Sequence, residues 1–299
     1  MTSFKSGFVS IIGCPNVGKS TLLNSLVGQK VAIVSKKAQT TRNRVTGVLT
    51  RPGYQIVFLD TPGVAAPKNK LGEFMRKVAY ASLDDVEVIL YLVDPIVGLR
   101  ERDEALVKRL KSASSPCIGI INKSDIASME QMNSARAFLE KSGRCEHILS
   151  LSAKAETGVK ELEELLKSYL VEGPQFFPDD MYTDQPERML VAEHIREKAL
   201  AFLNEEVPHG VGVDIEKMSL REGGELMDIY ATIYCERETH KGIIIGKRGS
   251  MLKKIGEQAR ADMEWMLGVR VNLQLFVKVR EDWRNSQLAL RELGYDDRI

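Results

Sequence analysis

Between residues 8 and 170 the chain alternates short apolar runs with amphipathic stretches: "FVSIIG", "KSTLLNSLV", "GVLT" and "QIVFLD", then "VEVILYLVD", "CIGIIN" and "HILSLS". Runs of this length, rich in β-branched residues and separated by helical patterns, predict an α/β domain with a mostly parallel sheet. Pro52-Gly53, between two of the runs, predicts one antiparallel hairpin in that sheet. The stretch "VEGPQFFPDDMYTDQPE", 171–187, holds three prolines and little periodicity, which predicts a linker. From Arg188 the pattern changes. "RMLVAEHIREKALAFLNEE" sets Val191, Ile195, Ala199, Phe202 and Leu203 on one helical face, which Pro208-His209-Gly210 should end. "VGVDIEK" and "MDIYATIYCER" alternate with period two about Gly223-Gly224, "SMLKKIGEQARADMEWML" is helical again, and "RVNLQLFVKV" reads as a last strand. The expected domains are thus 1–172, a linker 173–187, and a smaller α+β domain 188–299 with a C-terminal tail.

With 43% apolar and 28% charged residues the composition is that of a soluble globular protein. No stretch approaches the roughly 18 uncharged apolar residues of a membrane span; the longest candidate, "VEVILYLVDPIVGL", is broken by Glu87 and Asp94. The start, "MTSFKSGFVSIIGCPN", has too short an apolar stretch and the wrong flank for a secretory leader. We expect a cytoplasmic, monomeric protein. Cys14, Cys117, Cys145 and Cys235 show no spacing suited to a metal knuckle or redox dithiol and are expected to be reduced thiols. Net charge is +1, with 24 basic against 21 acidic residues in 1–186 and 18 against 20 in 187–299. Any nucleic-acid contact must therefore rest on local clustering.

"GCPNVGKS" fits the phosphate loop G-x-x-x-x-G-K-[ST] and lies where that loop works, after a strand and opening a helix. The N–H groups of Gly13, Cys14, Asn16, Val17 and Gly18 and of the helix start can face phosphate oxygens, with glycines admitting close approach and Pro15, which has no N–H, shaping the loop between them. Lys19 adds a cation near the β and γ phosphates, and the Ser20 hydroxyl can ligate Mg²⁺. Thr21 completes the candidate set as helix surface or core. "DTPG", 60–63, closes the strand "QIVFLD". It puts Asp60 at the carboxyl end of the sheet as a partner of Mg²⁺ through water, with the Gly63 N–H available to a γ-phosphate. "AQTTR", 38–42, offers Thr40 or Thr41 to the metal; Thr41 is preferred. "NKSD", 122–125, follows the apolar run "CIGII". Asp125 can accept from the ring N–H and exocyclic amine of guanine, a donor pair that adenine lacks. Asn122 would tie neighbouring loops together and the Lys123 stem would cover one face of the base. In "SAK", Ser152-Ala153-Lys154, the Ala153 N–H would meet the guanine oxygen.

The set GCPNVGKS, TTR, DTPG, NKSD and SAK resembles the translation-factor-related GTPases in order and spacing. The resemblance implies GTP hydrolysis to GDP with two switch loops. Val64 follows Gly63 where Ras-like enzymes carry a water-orienting glutamine, so another group must position the water. In the subgroup this sequence resembles, a P-loop asparagine can help bind K⁺ in place of an arginine finger; Asn16 holds that position, and holding the loop by a side-chain hydrogen bond is an equal alternative.

"GIIIGKRGSMLKKIG", 242–256, is too short between its glycines for a second triphosphate loop and joins two helical patterns. The order helix, strand, strand, helix, G-x-x-G, helix, strand resembles a type II KH domain. In such domains that turn clamps a single-stranded backbone over about four nucleotides. Lys241, Lys247, Arg248, Lys253 and Lys254 place five positive charges between 241 and 254 with no acid among them, and with Gly246 and Gly249 they form the candidate RNA grip. A phosphate-loop GTPase joined to such a domain resembles the Era family over essentially the whole chain. Cys14 departs from the basic side chain frequent at its position there, where the backbone N–H matters more. The resemblance implies a GTP-switched factor on the 3′ end of 16S ribosomal RNA, engaged in small-subunit maturation, with some peripheral membrane association. The rival reading is a signalling or transport switch whose C-terminal domain grips a protein.

Overall fold

The computed structural model describes residues 4–98 and 101–295; the outer ends of the two expected domains lie outside them. Two compact units separate, Met1–Lys68 with Gly72–Asp184, and Gln185–Ile299 with Asn69–Leu71.

The first unit runs β1 (Lys5–Gly13), α1 (Lys19–Val27), β2 (Val45–Arg51), β3 (Tyr54–Asp60), α2 (Lys70–Ala81), β4 (Val88–Val93), α3 (Glu101–Leu110), β5 (Cys117–Ile121), α4 (Met129–Ser142), β6 (His147–Ser150), α5 (Val159–Lys167) and β7 (Val171–Glu172). The strand order is β2-β3-β1-β4-β5-β6, with β7 antiparallel on the start of β1. Strands β3, β1, β4, β5 and β6 are parallel, and β2 pairs antiparallel with β3 across the Pro52-Gly53 turn, where Gly53 has φ 88°. Period-two alternation sends Ile11 into a core with Leu22, Phe58 and Leu162, and Ile12 into one with Val57, Tyr91 and Leu139. Both faces are thus covered, as the continuous apolar runs require. Because the strands are parallel, the loops after β1, β3, β4, β5 and β6 share one edge, which is where the phosphate loop, DTPG, Asp94, NKSD and SAK fall.

The second unit runs α6 (Glu187–Phe202), β8 (Gly212–Leu220), β9 (Leu226–Cys235), α7 (Glu238–Ile245), α8 (Ser250–Leu267), β10 (Arg270–Val279) and α9 (Gln287–Glu292). Its sheet has the order β10-β9-β8, β9 being parallel to β10 and antiparallel to β8. Val191, Ile195 and Ala199 of α6 and Ile255, Ala259 and Met263 of α8 pack with Ile229, Ala231 and Ile233 of β9. Helix α6 ends at Phe202, ahead of the expected proline stop, because Leu203 turns extended (ψ 152°) while remaining buried; Pro208 opens a separate short turn instead.

Residues 173–184, expected as linker, lie along the first unit. Gln55, wholly buried, accepts from the Phe176 and Phe177 N–H groups (2.8 and 3.0 Å) and donates to Phe177 O (2.9 Å) and Thr50 Oγ1 (2.8 Å). Val48 N–H donates to Tyr182 O at 2.8 Å. Among the described residues no helix is long and apolar enough to cross a membrane.

Candidate nucleotide and nucleic-acid sites

The loop between β1 and α1 is shaped by contacts that exclude a Cβ. One added at Gly13 would stand 2.5 Å from Leu92 O, and one at Gly18 (φ 102°) 2.2 Å from Asn122 Nδ2. Lys19 opens α1 and bends back, its ammonium donating to Gly13 O and Cys14 O at 3.1 Å each. Burial lowers its pKa, and the Asp60 carboxylate opposes that shift. A buried cation at a helix N-terminus ringed by N–H groups is a site for a polyanion. Cys14 faces away, its thiol donating to Asp103 Oδ1 at 3.2 Å, so only its backbone can serve a phosphate. Asn16 (φ 67°) donates its side-chain amide to Lys36 O at 2.9 Å. Gly63 lies against this loop, for a Cβ there would be 2.7 Å from Pro15 Cα. Val64 is buried with its N–H on Gly13 O at 3.2 Å, so its side chain is packing.

Three hydroxyl and carboxyl groups from separate elements meet beside Lys19. Ser20 Oγ donates to Asp60 Oδ2 at 2.6 Å and lies 2.9 Å from Thr41 Oγ1, which itself donates to Asp60 Oδ2 at 3.4 Å. Thr40 instead donates to Lys37 O at 2.7 Å. Asp60 is fully buried and its Oδ1 has no hydrogen-bond partner. Burial pushes its pKa up to about 6, against Lys19 and the Ser20, Thr41 and Thr61 hydrogen bonds. An all-oxygen donor set with an orphaned buried carboxylate oxygen fits a hard divalent cation such as Mg²⁺.

At the base end, Asn122 is buried and straps two loops, donating to Val17 O at 2.8 Å and accepting from Ala153 N–H at 3.0 Å. That N–H, expected to face the guanine oxygen, is here engaged by Asn122, whose buried oxygen requires a donor. Lys123 (φ 64°) reaches Asn16 O at 3.0 Å and Asp94 Oδ2 at 2.5 Å, its stem crossing between them. Ser152 is buried and accepts from Ala155 N–H at 3.1 Å, Lys154 is exposed, and Thr21 is half-buried. Asp125 is exposed, its carboxylate open to an incoming donor pair. The sequence reading passed over Asp94, although an aspartate ending the apolar run of β4 repeats the placement of Asp60 after β3.

In the second unit, α7 and α8 meet at Gly246-Lys247-Arg248-Gly249. Gly246 (φ 72°) admits no Cβ, which would lie 2.7 Å from that of Met251; Arg248 (φ 53°) and Gly249 (φ 80°) are left-handed too. The path pushes Lys247 and Arg248 into solvent. Beside the turn lies a cleft of about 350 Å³ lined by Leu252, Leu273 and Leu275, by Gly249 and Gly256, and by Lys253, Arg260 and the acidic Glu257. Lys253 is exposed, with Glu257 at 3.8 Å. Lys241 stands 3.7 Å from Glu238, and Lys254 lies over the Phe202 ring at 4.2 Å, set back from the cleft. The leucines, Gly256 and Arg260 were missed, since their spacing reads as core and solvated helix face.

A phosphate loop, a hard-cation corner and the NKSD and SAK loops on one sheet edge, with a G-x-x-G turn beside a cleft in the second unit, define a nucleotide-hydrolysing switch with a KH module. The family described as "50S ribosome-binding GTPase" matches residues 8–123, and the KH domain matches 206–284. GTPase Era of Alkaliphilus oremlandii is 51% identical over 294 residues, 98% of this chain and 100% of that protein. GTPase Era of Clostridioides difficile is 50% identical over 99% of this chain and 100% of its own length. Two solved Era structures superpose with TM-score 0.93 at 42% identity, covering 98% of this chain and 99% of each of theirs. One is in complex with MgGDPNP and nucleotides 1506–1542 of 16S ribosomal RNA. The other is a tyrosine-to-alanine variant of Aquifex aeolicus Era bound to GDP·AlF4⁻. The chain belongs to the Era family of GTPases.

Proposed function

We propose that this GTPase grips single-stranded RNA, the 3′ end of 16S ribosomal RNA, in the cleft of its second unit, and that GTP binding and hydrolysis time its attachment to the maturing small subunit. The observation that carries the RNA reading is the left-handed turn at Arg248, which presents Lys247 and Arg248 beside a cleft lined in part by leucines: charge for the backbone, apolar surface for the bases. Support for the target comes from the Era complex with nucleotides 1506–1542 at 42% identity. Work in the cytoplasm fits four free thiols. Peripheral membrane association is what the family resemblance implies.

In the catalytic cycle Lys19 and the loop N–H groups hold the β and γ phosphates, and the Gly63 N–H faces the γ oxygens. Ser20 and Thr41 would ligate Mg²⁺, with Asp60 acting through water; when bound, the ion neutralises charge building on the phosphates. Asp125 reads guanine, Lys123 shields its face and Asn122 fixes the loops. Val64 is packed away from the chemistry, so water must be positioned by other groups. Asn16, whose amide now holds Lys36 O, is our candidate for coordinating K⁺ once that bond opens.

Filter binding of single-stranded RNA across a salt series tests the RNA reading, with GTPase activity measured on the same protein. Lys247→Asp with Arg248→Asp should flatten the slope of log affinity against log salt by roughly 1.4, at about 0.7 per phosphate. Hydrolysis should be unchanged. Aspartate tolerates the left-handed backbone at 248, so the turn survives. An unaltered slope and affinity would reduce the turn to a surface feature.

A further inference from the structure

Cys117 and Cys145, 28 residues apart in sequence, meet in the fold: Cys117 opens β5, Cys145 stands just ahead of β6, and their sulfurs lie 4.0 Å apart in hydrogen-bond contact. Of the four cysteines, Cys145 alone is partly exposed. The backbone beneath the pair is held, with Glu146 N–H donating to Cys117 O at 2.9 Å and Ile118 in register with His147. A Cβ at Gly119 would sit 3.0 Å from Cys145 Sγ, so the thiol lies directly over β5. Beside it, Arg144 is fixed by Leu110 O at 2.7 Å, Ala113 O at 3.3 Å and Ser115 O. This keeps a guanidinium next to the sulfur.

We propose that Cys117 and Cys145 form a thiol–disulfide exchange site, which accepts a small water-borne disulfide such as oxidised glutathione and closes to an intramolecular disulfide between the starts of β5 and β6. The exposed thiol is the activated one. Its hydrogen bond with Cys117 and the Arg144 cation hold Cys145 below the usual thiol range against the effect of burial, whereas the same hydrogen bond and then burial push Cys117 up. Exposure divides the roles: a small disulfide can reach the partly exposed Cys145, and the buried Cys117 behind it resolves. Cys145 gives its proton to water and its thiolate attacks one sulfur of the small disulfide, forming a mixed disulfide and expelling one small thiolate, which is protonated. Cys117 then attacks Cys145 Sγ, and its proton passes to the second small thiolate as that leaves. Two protein thiols lose two electrons; one small disulfide becomes two thiols. Closing from 4.0 Å to a bond of about 2 Å calls on side-chain rotation over strands already in register. Strands β5 and β6 lead away from this pair toward Asn122 and Ser152, so the bond would pin the short edge strand β6 at the end remote from the base pocket.

The test exposes the full-length reduced protein, in native buffer, to oxidised glutathione, followed by acid quench, intact mass and a peptide map. The expected result is loss of two hydrogens, a linked Cys117–Cys145 peptide pair and unchanged GDP affinity. Cys117→Ser should stop at a stable glutathionyl adduct on Cys145, and Cys145→Ser should not react. Persistence of four free thiols in the wild-type protein, a lasting glutathionyl adduct on it, or a link through Cys14 or Cys235 would each overturn the proposal. The wild-type map decides the matter whether or not either variant folds.

Discussion

Asp60→Asn should stabilise the nucleotide-stripped, magnesium-free protein at neutral pH while disabling its reaction. The wild-type carboxylate is fully buried with one oxygen lacking a partner, and its pKa rises from 3.8 to about 6, chiefly by burial. At about 1.4 kcal/mol per pH unit, holding the charge inside the fold costs about 3 kcal/mol above pH 6. Between pH 4 and 6 the folded chain keeps a proton that the unfolded chain has released, so the wild type loses stability as pH rises through that window. Asparagine removes this dependence. The value of about 6 already includes the attraction to Lys19, so the gain is about 3 kcal/mol at pH 7.5, fading to nothing below pH 4. Urea unfolding should be followed by hydrogen exchange at β1 and β3 amides. Trp265 and Trp283, the only tryptophans, lie in the second unit, so their fluorescence is an internal control that should not move. If the variant's first unit unfolds no later than the wild type's at pH 7.5, or the two share one pH profile from 4 to 6.5, Asp60 does not carry a strained charge.

Asp125→Asn should move preference from guanosine to xanthosine nucleotides, since the amide donates where the carboxylate accepted; competition binding with GTP and XTP reads the outcome, and retained GTP preference rejects the role. Gly18→Ala meets both φ 102° and an Asn122 Nδ2 only 2.2 Å from the new Cβ, so GDP affinity should fall by about tenfold or more, for a distortion costing 1–3 kcal/mol; nucleotide titration checks it. If Asn16 coordinates K⁺, hydrolysis should be faster in potassium than in sodium, and Asn16→Ala should erase the difference with GDP affinity kept; equal wild-type rates in both salts reject it.

What could be read from the sequence was whatever lies in consecutive residues. The phosphate loop, DTPG and NKSD are local words whose place follows from the strand each one ends, and continuous apolar runs located every strand of the first sheet except the two-residue β7. The G-x-x-G turn was legible for the same reason. Features made by distant residues were not. Asn122 was expected to tie loops, yet nothing in "NKSD" shows that its partners are Val17 O and Ala153 N. Thr40 and Thr41 are chemically alike neighbours, and only the fold turns Thr41 to Asp60 and Thr40 to Lys37. Leu273 and Leu275 obey the strand period of a core face, so their exposure to a cleft stayed hidden. Cys117 and Cys145 showed no paired spacing, and β5–β6 pairing alone brings their sulfurs together.

The Gln55 contacts also say where the chain can be cut. A fragment ending at Glu172, at the first sign of proline-rich sequence, would strip three hydrogen bonds from a wholly buried amide and one from the Val48 N–H. Each buried group left without a partner costs about 1–3 kcal/mol. Such a piece would be soft along the β2–β3 hairpin, whose far ends deliver Thr41 and Asp60 to the nucleotide. A limited protease should accordingly spare residues 174–182 despite their loop-like composition, and the shortest self-sufficient nucleotide-binding fragment should run through Asp184.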